Sequence, residues 1–213
     1  MQRKSQFGRS MVEMLGVLAI IGVLSAGALA GYHKAIFKHK LNTQSQQLNS
    51  VFGAITRYRD KICKDQTTRY YTADFIVLNE IPQPMLRKND TFYFYDSFGS
   101  MMYIYYDADS RRIRFYYHQT NLNEGFNEYV ESCRSFVSTA RAYADDLYIL
   151  ATKSGDDIPQ EEEQDIRTEN YYGTETHQIK QIKQMDLEKI DEVCRMHAGT
   201  KGQTARMILD WKC

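Results

Sequence analysis

From Met14 to Tyr32 the chain carries no charged side chain and is apolar almost throughout. A helix rises ~1.5 Å per residue, so this run spans about 28 Å, close to the thickness of a bilayer's hydrocarbon core. Beyond it the pattern becomes periodic. Leu41, Leu48, Ile55 and Ile62 recur every seven residues, Phe37, Val51 and Tyr58 fall between them, and Gln, Asn, Lys and Arg take the other faces. That is the signature of an amphipathic helix rather than a strand. No proline precedes Pro82, so one helix can run from about Ser10 to about Cys63, roughly 80 Å. Its second half is expected to lie on a sheet. Gly16, Gly22, Gly27 and Gly31 weaken the first half by up to about 1 kcal/mol each relative to alanine in water. In lipid, small residues let helices approach closely.

Residues 64–90 read as a connection holding one short helix, capped by Thr72, containing Phe75, Leu78 and Asn79, and ended by Ile81-Pro82-Gln83-Pro84. The strongest strand signal follows in Thr91–Tyr95, Met101–Tyr106 and Arg112–His118, which are aromatic and β-branched. They are separated by Asp96-Ser97-Phe98-Gly99-Ser100 and Asp107-Ala108-Asp109-Ser110-Arg111. Short strands with turn-rich breaks predict an antiparallel meander. In the third strand Ile113, Phe115 and Tyr117 share the face expected to cover the helix, and Arg114, Tyr116 and His118 share the other.

Glu124–Ala142 predicts a helix through the spacing of Phe126, Tyr129, Val130, Cys133, Phe136, Val137 and Ala140. Leu147–Thr152 and Thr176–Ile182 read as strands. Asp186 caps a helix through His197 that buries Leu187, Ile190 and Val193 or Cys194. Gly199 and Gly202 break it, and Ala205–Trp211 is a final strand. The fold class is therefore α+β. Between Ser154 and Glu169 the chain is acidic (Asp156, Asp157, Glu161, Glu162, Glu163, Asp165, Glu169). It lacks the alternating Asp pattern of a calcium loop and reads as a solvated loop.

Composition narrows the function classes. Lys plus Arg equal Asp plus Glu, at 27 each, so no global field favours nucleic acid. Sixteen tyrosines suit half-wet packing and interfaces. Cys194-x-x-His197 offers two ligands where zinc takes three or four. Gly199-Thr200-Lys201-Gly202-Gln203-Thr204 lacks the spacing of a phosphate loop. No enzyme activity, metal site or cofactor is expected. Four cysteines, an even number, would favour disulfides if the chain is exported, with three possible connectivities.

Directly before the apolar run stands Glu13. A charged group inside a bilayer costs about 2.5–3.5 kcal/mol by insertion scales, so it is normally paired or functional. Met1 to Gly8 is a short leader with Arg3 and Lys4. Gly8 precedes Arg9, and Glu13 lies five residues past the glycine. Met-Leu-Gly-Val-Leu-Ala-Ile-Ile-Gly-Val-Leu follows. This stretch resembles the N-terminus of type IV prepilins and of the related pseudopilins of type II secretion.

The resemblance covers about 25 of 213 residues and carries most of the functional expectation. It implies cleavage between Gly8 and Arg9 by a prepilin peptidase and methylation of the new N-terminus, although Arg9 stands where the family usually has Phe or Met. It implies a leader at 1–8, a membrane and assembly segment at 9–33, and a globular pilin-like region at 34–213. The expected partners are other pilin subunits, the inner-membrane assembly machinery and, before assembly, membrane lipid. The chain would sit in the inner membrane and then in a periplasmic or surface filament. Glu13 would be neutralised there by the α-amine of a neighbour's Arg9, with the Arg9 guanidinium of its own helix competing. The family's C-terminal loop implies a Cys194–Cys213 disulfide, and with it Cys63–Cys133.

Other readings stay open. One is a pseudopilin serving protein secretion. Another is a cleaved, secreted binding protein, with Ala28-Leu29-Ala30 as a signal-peptidase site and Gly31 as the new start. A third is a plain anchor. Charge bias is balanced between Arg3, Lys4 and Arg9 on one side and Lys34, Lys38 and Lys40 on the other.

Overall fold

The computed structural model describes residues 11–119, 125–154, 171–173, 182–197 and 205–213. The protein is α+β, with a long apolar N-terminal helix, an antiparallel sheet and two disulfides. Two compact units divide between His39 and Lys40. Helix α1, Met11–Ile62, begins in the first unit and ends in the second. In the first unit every described residue from Met11 to Ile36 is exposed.

In the second unit α1 becomes one-sided. Gln44, Gln47, Leu48, Val51, Phe52, Ala54, Ile55 and Ile62 are buried, following the three-and-four spacing that keeps one helix face inward. Leu41 and Tyr58 of the expected stripe are only half-buried. Phe52, outside that stripe, is the hub instead. Its ring lies 5.1 Å from Phe115, 5.4 Å from Trp211, 5.6 Å from Tyr143 and 6.0 Å from Phe136, the last two nearly perpendicular, within the range where aromatic pairs attract.

The sheet comprises β1 (Arg69–Tyr70), β2 (Phe94–Tyr95), β3 (Met101–Asp107), β4 (Arg112–Gln119), β5 (Leu147–Ser154), β6 (Tyr171–Gly173) and β7 (Ala205–Lys212). The order is β1-β3-β4-β7-β5-β6, with β2 also on β3, and every pairing is antiparallel. The β2–β3–β4 meander is present as predicted. β2 is shorter than expected because the Asp90 carboxylate accepts from the amides of Phe92 and Tyr93, turning the chain over it. The last strand, β7, lies in the middle of the sheet between β4 and β5.

Ile113, Phe115 and Tyr117 face inward and are fully buried, as the alternation predicts. Helix α3, Phe126–Arg141, shares this inner side: Phe136 stacks 4.4 Å from Tyr117. Helix α4, Leu187–His197, packs on α3 through Arg134 and Asp191. Asp186 caps α4 as expected, accepting from the Lys189 amide at 2.8 Å. Ile190, Val193 and Cys194 are buried, but Leu187 is 76% exposed; it sits in the first turn, off the face that meets α3.

The short helix α2 spans Thr72–Val77. Thr72 does not cap it. Its hydroxyl accepts from the Ile104 amide at 2.9 Å, tying α2 to β3, and Asn79 follows the helix with φ 56°. Of the strand expected at Thr176–Ile182, residues 176–181 lie outside the described residues, and Ile182 opens a 3-10 turn. The acidic run beyond Ser154 and the glycines at 199 and 202 also lie outside them.

Candidate assembly helix and the cysteine and carboxylate sites

The apolar half of α1 exposes Leu15 at 64%, Leu18 at 60%, Ile20 at 63%, Val23 at 74% and Leu24 at 66%. Bulky apolar groups at this density on every side of a helix mark a segment whose surroundings are supplied from outside the chain. The helix is long and apolar enough to cross a membrane. A methyl group added at Gly16, Gly22, Gly27 or Gly31 would meet nothing within 4 Å, so no contact among the described residues requires these glycines. Glu13 lies in the first turn of α1 and is exposed. A carboxylate there is favoured by the helix dipole. Gly8 and Arg9, the expected processing pair, lie outside the described residues.

All four cysteines form disulfides, but not in the implied pairs. Cys63 joins Cys213, with Cα atoms 5.5 Å apart, and Cys133 joins Cys194 at 5.6 Å. Strand order decides this. Met207, near the start of β7, lies beside Cys133, and β7 advances ~3.3 Å per residue, so Cys213 falls about 20 Å further along the sheet. There Trp211 donates its indole N–H to Thr56 Oγ1 at 3.2 Å, beside the end of α1 and Cys63. Meanwhile α4 packs on α3 and sets Cys194 against Cys133. The Cys133–Cys194 pair is fully buried, whereas Cys213 is exposed and Cys63 half-buried.

A buried polar cluster escaped the sequence reading. Asp96, in the β2–β3 turn, is buried. Its Oδ2 accepts from Gln44 Nε2 at 2.8 Å and the Tyr117 hydroxyl at 2.9 Å. Its Oδ1 accepts from the amides of Phe98 at 2.9 Å and Ser100 at 2.8 Å. Burial pushes the Asp96 carboxyl up, while these donors pull it back down. The adjacent Ser97 gives its amide to Gln47 Oε1 at 3.0 Å and its hydroxyl to the Lys40 carbonyl at 2.7 Å. Turn chemistry in Asp-Ser-Phe-Gly-Ser was the available signal, but it is the same on a surface as in a core.

On the opposite face of the sheet Tyr103 stacks on Tyr116 at 4.5 Å. Tyr116 is 1% exposed. Asp210 is buried on this face, near Arg112 at 3.5 Å and Arg114 at 3.8 Å. Burial outweighs both guanidiniums and pushes its carboxyl up to about 6. Burial, with Arg206 nearby, pushes His118 down to about 4. Among the described residues no three His, Cys, Asp or Glu side chains gather as a metal site. Compared with family models, curated proteins and solved structures, the chain finds no match in any of the three.

Proposed function

We propose that this chain is a type IV pilin-like structural subunit, processed after Gly8 and assembled into a pilus or pseudopilus filament. The observation that carries the reading is the exposed apolar half of α1 with Glu13 at its head, continuous with a helix that forms part of an α+β core. The leader motif before it supports the same reading. Before assembly the helix rests in the membrane with lipid around it. In the filament, other copies replace that lipid. Glycines that no contact among the described residues requires suit close helix approach.

Glu13 sets the stagger in this scheme. In apolar surroundings an unpaired carboxylate costs several kcal/mol, so the register that brings a neighbour's Arg9 α-amine to it is selected over others. The role is structural, and the partners are copies of the chain, the prepilin peptidase and the membrane machinery that extrudes the filament.

The test is the mature N-terminus, read by mass spectrometry of membrane and sheared surface fractions, together with Glu13→Ala. A start at Arg9 is expected in both proteins, with filaments lost in the variant. A start at Gly31, or normal filament numbers with Glu13→Ala, overturns the reading.

A further inference from the structure

Helix α1 carries a second pattern that assembly does not use. Between Glu13 and Asp60 the chain contains no Asp or Glu, so no carboxylate lies within a helical turn of any cation between Tyr32 and Lys40. Immediately past the apolar run stand His33, Lys34, Lys38 and His39, all exposed. Lys34 and Lys38 are four apart and share a face of α1. Lys40 differs: its ammonium lies over the Phe98 ring, 5.5 Å from the centroid.

We infer that His33, Lys34, Lys38 and His39 form a collar that binds the phosphate headgroups of anionic phospholipid. The inference rests on the membrane reading of the preceding run. If the hydrocarbon boundary lies at Tyr32, Lys34 and Lys38 stand about 3 and 9 Å beyond it at ~1.5 Å per residue. The headgroup layer is about 5–8 Å deep on each side of a bilayer. Lysine stems lie along apolar surface and deliver the ammonium to that depth. Tyr32, 62% exposed with its ring 6.3 Å from His33, is an amphipathic ring at the same level. Two lysines next to a span, with no carboxylate on their own stretch of helix to neutralise them, attract anionic lipid by about five-fold each at low salt.

The test reconstitutes the full chain in phosphatidylcholine vesicles carrying trace spin-labelled phosphatidylglycerol or spin-labelled phosphatidylcholine. The readout is the share of each label that the protein immobilises. The wild type is expected to prefer phosphatidylglycerol at least about three-fold at low salt, with the preference fading near ~0.5 M salt as screening shortens. Lys34→Gln with Lys38→Gln should bring it towards parity, whereas Lys61→Gln with Lys64→Gln, also exposed, should leave it unchanged.

No preference in the wild type, or one that the Lys34/Lys38 pair leaves intact, overturns the collar. A double variant that keeps its lipid preference but loses self-association points to an acidic protein partner and overturns it too. An alkaline carbonate wash separates the two readings. A chain that leaves the vesicles refutes the membrane reading and the collar together, and one that stays without lipid preference refutes the collar alone.

Discussion

Removing the Asp96 carboxylate strands the backbone N–H groups of Phe98 and Ser100 and takes one acceptor each from the Gln44 amide and the Tyr117 hydroxyl, which keep Tyr117 Oη and Ser100 Oγ. Each buried donor left unsatisfied costs about 1–3 kcal/mol, so Asp96→Ala should lose at least about 2 kcal/mol in denaturant unfolding. Asp96→Asn should lose less than half of that. Its oxygen keeps the two backbone donors, Tyr117 retains Ser100 Oγ at 3.1 Å, and the Gln44 amide can turn its otherwise unpartnered Oε1 towards the new NH2 group. The acid range gives a second prediction. The folded Asp210 carboxyl, raised to about 6, holds its proton more tightly than the unfolded one, so its contribution falls as pH rises through roughly 4 to 6. The folded His118, lowered to about 4, resists protonation, so its contribution falls as pH drops from about 6.5 to 4. The two oppose each other in one window. Relative to the wild type, Asp210→Asn should shift the slope of stability against pH upwards across this window and His118→Gln should shift it downwards, as thermal unfolding at stepped pH would read. Asp96 acts in the same sense as Asp210.

Among the elements, the two disulfides divide by access. Cys63–Cys213 has an exposed end and Cys133–Cys194 is fully buried. Thiol–disulfide exchange needs approach to a sulfur, so mild reduction followed by alkylation should label Cys63 and Cys213 first, as peptide mass spectrometry would read. Equal labelling of all four cysteines would contradict the burial. These pairs were also the least legible part of the chain. Their partners depend on which strand lies beside which, and strand order is not a local property. The apolar run, the meander and the Asp186 cap were legible because each needs only a short window of residues. The second half of α1 was legible as a helix but not in its exact face. The seven-residue count from Leu41 to Ile62 draws attention to Val51, while the true 3.6 period also turns Phe52 inward, where the sheet and α3 supply its neighbours. Asp96 read as a loop residue because the helix that buries it lies some 50 positions away. Glu13 and the apolar run were visible in full, since their case rests on composition and spacing.

At the scale of the molecule, the continuous run of exposed apolar residues lies in one unit, and beyond His39 the exposed large apolar side chains of the described residues, such as Val77, Phe92 and Leu187, are scattered. A chain shortened to begin at Lys34 should stay in solution without detergent and keep both disulfides, as ultracentrifugation and non-reducing mass analysis would show. Sedimentation of that form as aggregate would mean that the core needs the apolar half of α1. The position of β7 has a further consequence. Synthesis reaches β3, β4 and β5 before residues 205–212 exist, and β4 and β5 do not pair with each other. Until β7 arrives, a slot one strand wide separates them, and Cys63 waits for Cys213. A chain interrupted before Ala205 therefore holds two open edges and an unpaired thiol, the features on which misassembly and proteolysis act. The sheet closes only once residues 205–212 are delivered, so copies interrupted before them are disqualified by their own topology.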